Sequence, residues 1–298
     1  MKKCDFKPLD SSAFEKFACY APFFGESCER SWANLQLYNN TYNWQFAELD
    51  NRLYIASFEE AYIFFPLGEM VAPEELQKHL LEFAGCCQCE IVCGDVPYNY
   101  AGYWNAVSPE FELIDDPGDY DYIYSVEHLC SFQGSCLRKR HNQVRQFERA
   151  LENNYHVEVI NKQHLSEVYL LAERLSSSYW QDSSGLEEKL ALERLVELWN
   201  EPALNLSGTA LYVGNTLAGF SVYSMLNNDL ADVHFEKADR AYPGCGAKVT
   251  AVLASHLQER GCRFMNREQD LNEEGLRKAK KALDPDHLYR RLSIKCSE

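Results

Sequence analysis

No run of about 18 apolar residues, the length a helix needs to cross a bilayer, occurs in this 298-residue chain. The opening residues MKKCDFKPLD lack the apolar core of a secretory signal. Positive charge is also scarce. Lys and Arg number 29 against 45 Asp and Glu, a net charge of −16, which argues against a general binder of DNA or of anionic membrane surfaces. The densest cysteines, Cys86, Cys87, Cys89 and Cys93, do not supply the two C-x2-C pairs that structural zinc sites commonly use. They read as small apolar fillers, and twelve cysteines without an export signal read as reduced thiols in the cytoplasm. A hydrophobic content of 46% with 13% aromatics is ample for sizeable cores, and the length suits two domains.

The pattern along the chain mixes both periodicities. Residues 42–49 and 52–57 alternate around Asp50-Asn51, a two-residue hairpin turn, and 61–66 continues the sheet. Pro73 opens a helix to about residue 84, and 90–93 reads as a strand. Residues around Tyr100, Phe111 and Tyr122 read as helix, strand and strand. From Leu137 to about Asn153, Leu137, Val144, Phe147 and Leu151 share one helical face beside a stripe of Arg138, His141, Arg145 and Arg149. This basic helix is expected to bridge two halves, giving domains at 1–136 and 155–298 with the bridge at 137–154.

The second half reads as a strand at 155–160, helices at 165–179 and 187–199, then three antiparallel strands at 210–213, 217–225 and 230–236. A helix at 247–260, a strand at 263–266, a helix at 274–283 and a closing strand at 287–294 follow. This is the element order of GNAT acyltransferases. The expected fold is α/β (an α+β mixed sheet) in two tandem GNAT-like domains, the first a degenerate copy.

Four groupings carry the candidate chemistry. On the strand 230–236, Asp232, His234 and Glu236 alternate with Ala231, Val233 and Phe235 and are expected to share one face. That face reads as a metal triad, as a solvated surface, or as a substrate wall. In the last reading Glu236 or His234 is the general base that takes a proton from an attacking ammonium; no metal is expected. The turn Tyr242-Pro243-Gly244-Cys245-Gly246, with Lys248 just beyond, reads as a plain helix entry or as an anion cradle, since Gly244 and Gly246 let a ligand approach main-chain N–H groups. Asn266, Arg267, Glu268 and Asp270 cluster where an apolar strand stops, the end at which ligands gather in open sheets. Arg267 there could grip a carboxylate or phosphate, or pair with a neighbouring acid. Basic residues concentrate in two helices, at Arg138, Lys139, Arg140 and Arg145 and at Arg277, Lys278, Lys280 and Lys281. Each reads as a solvated face or, if the two converge, as part of a surface for a polyphosphate or an RNA backbone.

Four segments carry a family resemblance: Glu236-Lys237-Ala238-Asp239, the 242–246 turn, Asn266-Arg267-Glu268-Gln269-Asp270 and Gly275-Leu276-Arg277-Lys278-Ala279-Lys280. With 137–149 and 31–37, they resemble the C-terminal catalytic domain of phosphatidylglycerol lysyltransferases and its soluble relatives. The resemblance implies a tandem GNAT fold and transfer of an aminoacyl group from aminoacyl-tRNA, with the basic residues binding tRNA phosphates. The expected acceptor is an amine or hydroxyl of a small molecule or a head group, and because no membrane-spanning run accompanies these motifs, soluble acceptors gain weight over a lipid. Two other readings stay open: an acyl-CoA-dependent N-acetyltransferase, and a non-catalytic module binding a small anion or RNA. No tightly bound cofactor is expected; aminoacyl-tRNA or acyl-CoA would be the co-substrate.

Overall fold

The computed structural model describes residues 5–23, 25–104, 110–152 and 154–297. Residues 1–4 and Asn153, at the expected end of the basic helix, lie outside them. Two compact units emerge, one of Met1–Tyr120 with Arg290–Glu298 and one of Asp121–Tyr289.

The first unit holds α1 (Phe14–Cys19), α2 (Trp32–Leu37), α3 (Asn39–Tyr42) and α4 (Pro73–Cys87). Its strands are β1 (Lys7–Pro8), β2 (Gln45–Leu49), β3 (Arg52–Ser57), β4 (Tyr62–Phe64), β5 (Leu67–Gly68), β6 (Ile91–Pro97), β7 (Phe111–Ile114) and, from the end of the chain, β15 (Arg291–Cys296). The sheet order is β1-β2-β3-β4-β6-β15-β7, with β5 beside β3. Asp50 and Asn51 take φ of 50° and 59°, the left-handed pair that lets a two-residue turn follow the strand twist. The strand expected from residue 42 begins only at Gln45, because 39–42 closes a helical turn and Asn43 ends it at φ 49°. Pro73 opens α4 as expected. The helix lays Leu76, Leu80 and Phe83 against Tyr54, Ile63, Ile91 and Val96 of the sheet.

The second unit runs β8 (Asp121–Ser125), α5 (Val126–Ser131), α6 (Arg138–Ala150), β9 (Tyr155–Val159), α7 (Leu165–Ser176), α8 (Ser183–Leu198), β10 (Ser207–Val213), β11 (Thr216–Met225), β12 (Leu230–Ala238), α9 (Cys245–Glu259), β13 (Phe264–Asn266), α10 (Glu274–Lys281) and β14 (His287–Tyr289). Its sheet order is β14-β8-β13-β12-β11-β10-β9. The basic helix α6, expected as a bridge, packs on α9 inside this unit. Its one fully buried side chain, Phe147, joins Leu211, Ala218, Cys245 and Val249.

The two sheets follow one plan. Each has an antiparallel run (β2-β3-β4, β10-β11-β12), a helix (α4, α9), and a strand parallel to the last of the run (β4 with β6, β12 with β13). Beyond it come an inner and an outer strand, and these are split along the sequence. β7 is the outer strand of the first sheet, and its sequence neighbour β8 is the inner strand of the second. Likewise β14 ends the second sheet and β15 returns to the first. The single closing strand expected at 287–294 is therefore two strands in different sheets. Residues 121–136, expected with the first domain, pair and pack with the second unit through β8 and α5.

Candidate functional site

In each unit the parallel strands part after three paired residues. β4 leaves β6 after Phe64↔Gly94, and β12 leaves β13 after Asp232↔Asn266. Parted strand ends expose main-chain groups and make room for side chains between them.

In the first unit this place is taken by buried charge. Arg30 is ion-paired with Asp95 and reaches the Phe65 carbonyl at 3.4 Å, and Arg291 lies 3.7 Å from the other Asp95 oxygen. All three are buried, and removing one partner would strand a buried charge.

In the second unit the corresponding place is half open. Glu236 Oε1 accepts from Arg267 Nη2 at 2.7 Å and from Thr250 Oγ1 at 2.9 Å, and Ser221 Oγ is 3.4 Å from Oε2. The Glu236 and Arg267 side chains are 15% and 17% exposed. The Arg267 guanidinium also stands 5.8 Å from the centre of the Tyr124 ring. A carboxylate and a guanidinium thus meet at the border of solvent beside the buried Thr250 hydroxyl, where the charged pair can exchange partners for a ligand.

The expected one-faced triad does not form. β11 and β12 slip register between Val222 and Tyr223, which face Phe235 and Val233, so His234 is an extra residue in β12. Such a bulge reverses the alternation beyond it. Ala231 and Val233 pack with Ala247 and Ala251 of α9, and past the bulge Glu236 is the one that meets Thr250 of α9. His234 instead bonds Ser224 Oγ through Nε2 at 2.8 Å. Burial alone pushes its pKa down to about 3, so at neutral pH the ring is uncharged. The two residues expected as alternative bases therefore have separate surroundings, and only Glu236 reaches the solvent border.

The glycine turn is held mostly by neighbours. Gly244, at φ 85°, is the N-cap of α9, and a β-carbon there would lie 2.0 Å from the Gln143 carbonyl oxygen of α6. Gly246 has room, its nearest neighbour being Ala238 Cβ at 3.9 Å. Tyr242 packs in the cluster around Phe147. Lys248 is engaged, its Nζ 2.7 Å from Glu148 Oε1 and 3.2 Å from Tyr155 Oη. Gly244→Ala is expected to lower stability by roughly 3 kcal/mol, because left-handed strain and displacement of α6 add. A denaturant midpoint unchanged by that substitution would contradict the close packing.

Past β13, Asn266 is fully buried; its amide donates to Asp121 Oδ2 at 2.8 Å and its Oδ1 accepts the Glu268 N–H at 2.6 Å. Glu268 takes φ 59°. Asp270, also buried, is gripped twice by Arg277 at 2.7 Å and by Tyr122 Oη at 2.7 Å. Burial works against its charge, yet the Arg277 and Tyr122 bonds hold its pKa below the usual value. Burial beside that carboxylate pushes Tyr122 up to about 12. Lys280 caps the Arg267 and Glu268 carbonyls, and Lys278 pairs with Glu274 at 2.6 Å on the surface. Arg277 and Lys280 therefore fasten α10 beneath the site. On α6, Arg140 donates to Gln143 at 3.1 Å. Arg138, Lys139 and Arg145 are exposed and have no ion-pair partner among the described residues. Thr250 and Tyr124 were not singled out in the sequence; only their neighbours in space mark them.

The fold agrees with solved structures. A Bacteroides thetaiotaomicron protein of unknown function is 25% identical, with a TM-score of 0.86 and coverage of 100% of both chains. A C-terminal domain of a lysylphosphatidylglycerol synthetase from Agrobacterium fabrum is 9% identical, with a TM-score of 0.63 over 96% of this chain and 92% of that one. A tandem GNAT protein from the clavulanic acid biosynthesis pathway is 11% identical, with a TM-score of 0.52 over 98% of each. The architecture is tandem GNAT-like, as expected. No curated protein matches the chain. No helix among the described residues is long and apolar enough to cross a membrane. Residues 23–294 match the family described as phosphatidylglycerol lysyltransferase, C-terminal, and the chain belongs to that family.

Proposed function

We propose that the chain transfers an aminoacyl group from aminoacyl-tRNA to a soluble amine or hydroxyl acceptor, with the second unit carrying the chemistry. The observation that carries this reading is the partly exposed Glu236–Arg267 pair beside Thr250, at the place where β12 and β13 part. Its counterpart in the first unit is buried.

Arg267 binds the anionic carrier and gives up Glu236 in doing so, since a phosphate competes for the same guanidinium donors. The freed carboxylate accepts the proton of the attacking ammonium or hydroxyl. The acceptor atom bonds to the acyl carbon, the ester C–O bond breaks, and the departing ribose oxygen takes up a proton. Arg138, Lys139 and Arg145 on α6 supply phosphate contacts. Lys280 and Arg277, engaged with the protein, keep the Arg267 backbone in place.

The test is tRNA binding as a function of salt. Wild type is expected to bind charged tRNA with an affinity that falls steeply with salt, and neutralising Arg138, Lys139 and Arg145 together is expected to lower the slope by roughly one per contact removed. Salt-insensitive binding, or none, would refute the tRNA donor. A thermal shift with acetyl-CoA in its place would favour the acyl-CoA reading, and stabilisation by RNA without turnover on any acceptor would favour a binding module.

A further inference from the structure

We propose that the β9 edge of the second sheet docks a second copy of this chain, strand to strand, about a two-fold axis at Val157. β9 ends the sheet order, and among the described residues β10 is its only strand partner. The Ile160 N–H donates to the Gly208 carbonyl at 2.9 Å, and the Gly214 N–H to the Asn154 carbonyl at 3.3 Å. These two bonds fix the parity of the ladder. In an antiparallel pair, residues that exchange main-chain bonds alternate with residues that do not. The even positions of β9 therefore bond toward β10, and the N–H and C=O groups of Tyr155, Val157 and Val159 point outward from the edge.

The edge lacks the devices that blunt such a row, which are proline, lysine and bulges. β9 reads YHVEV, and its register with β10 is unbroken along its length. Its side chains are uncovered. Val157 and Val159 are 44% and 54% exposed, and the His156 and Glu158 side chains 50% and 47%. An open edge with apolar residues on one face is a template for another strand.

Self-complementarity selects the partner. With the axis at Val157, Tyr155 meets Val159 of the second copy and Val157 meets its own counterpart, so every outward group of the strand is paired. His156 falls opposite Glu158 of the second copy, and Glu158 opposite its His156, at the closely spaced positions where side chains touch. The two groups lie on one face, since within one chain His156 Nε2 is 3.3 Å from Glu158 Oε1. An imidazole N–H donates to a carboxylate whether or not the ring is protonated. Moving the axis to Glu158 sets carboxylate against carboxylate, and moving it to His156 sets imidazole against imidazole. The contact is isologous and closes at two copies. The net charge of −16 opposes association, but exposed charges more than about 8 Å apart are largely screened at physiological salt, so the pairing along the strand decides.

Sedimentation of the full chain tests the proposal. A single strand pair is a small interface and small interfaces are weak, so wild type is expected to be dimeric at roughly tens of micromolar chain and to dissociate on dilution. Val157→Pro removes the outward N–H at the axis and no bond to β10; it is expected to be monomeric with an unchanged far-UV spectrum. His156→Glu sets like charges across the axis and is expected to be monomeric too. Adding Glu158→Lys to it restores opposite charges and is expected to return the dimer, a rescue that damage to the fold would not give. Wild type that stays monomeric throughout would overturn the proposal and leave the edge to a strand of another protein. A dimer that persists in both Val157→Pro and His156→Glu would put the contact on another surface and overturn it as well.

Discussion

A fragment of residues 121–289 is expected to fold cooperatively alone, and a fragment of residues 155–298 is expected not to. The first keeps all seven strands of the second sheet. The second loses β8, so β13 loses its antiparallel partner along Phe264↔Ser125, Met265↔Tyr124 and Asn266↔Ile123. It also loses the buried Tyr122, Tyr124, Leu129, Phe132, Leu137 and Phe147. At roughly 1.5–3 kcal/mol for each such side chain, the deficit matches or exceeds the about 5–15 kcal/mol that holds a domain together. The fragment further carries β15, whose buried Leu292 and Ile294 belong against β6 and β7 of the other sheet, and so exposes apolar surface. Circular-dichroism melting decides the matter: a sharp, reversible transition for 155–298 would contradict the strand assignment.

The same strands show what local sequence carries and what it does not. The Asp50-Asn51 turn, the Pro73 helix start and the meander β10-β11-β12 were legible, because turn chemistry, proline placement and period-2 alternation are written within a few residues. The destination of β8 and β15 was not. A strand of five or six residues with alternating polarity states which face is buried, not which neighbour it pairs with, and both partners here lie far along the chain. The bulge at His234 was hidden for a similar reason. Alternation over Ala231–Glu236 is perfect in the sequence, and only the pairing with β11 shows one residue too many. Gly244 read as a plain helix entry or as an opening toward a ligand, and only the fold shows the Gln143 carbonyl of α6 so close that a β-carbon does not fit. The Glu236 and Arg267 positions were each legible as polar groups at the end of an apolar strand. Their meeting at 2.7 Å required the parallel register of β12 and β13.

Glu236→Gln is expected to lower aminoacyl transfer by about 10²–10⁴-fold, the range over which a positioned base contributes, with little change in tRNA affinity and a lowered melting temperature. The exchange keeps volume and an oxygen for the Thr250 bond. It removes the charge that faces Arg267, and because the two side chains are only 15% and 17% exposed the guanidinium left behind costs stability. The basic face of α6 is untouched, so carrier binding should survive. Arg267→Ala should differ: if Arg267 grips the carrier, KM for the charged tRNA rises, whereas loss of the base lowers kcat. The two variants separate positioning from proton transfer. Transfer at wild-type rate by Glu236→Gln would remove the carboxylate from the chemistry and leave the Arg267–Thr250 corner as a binding feature alone.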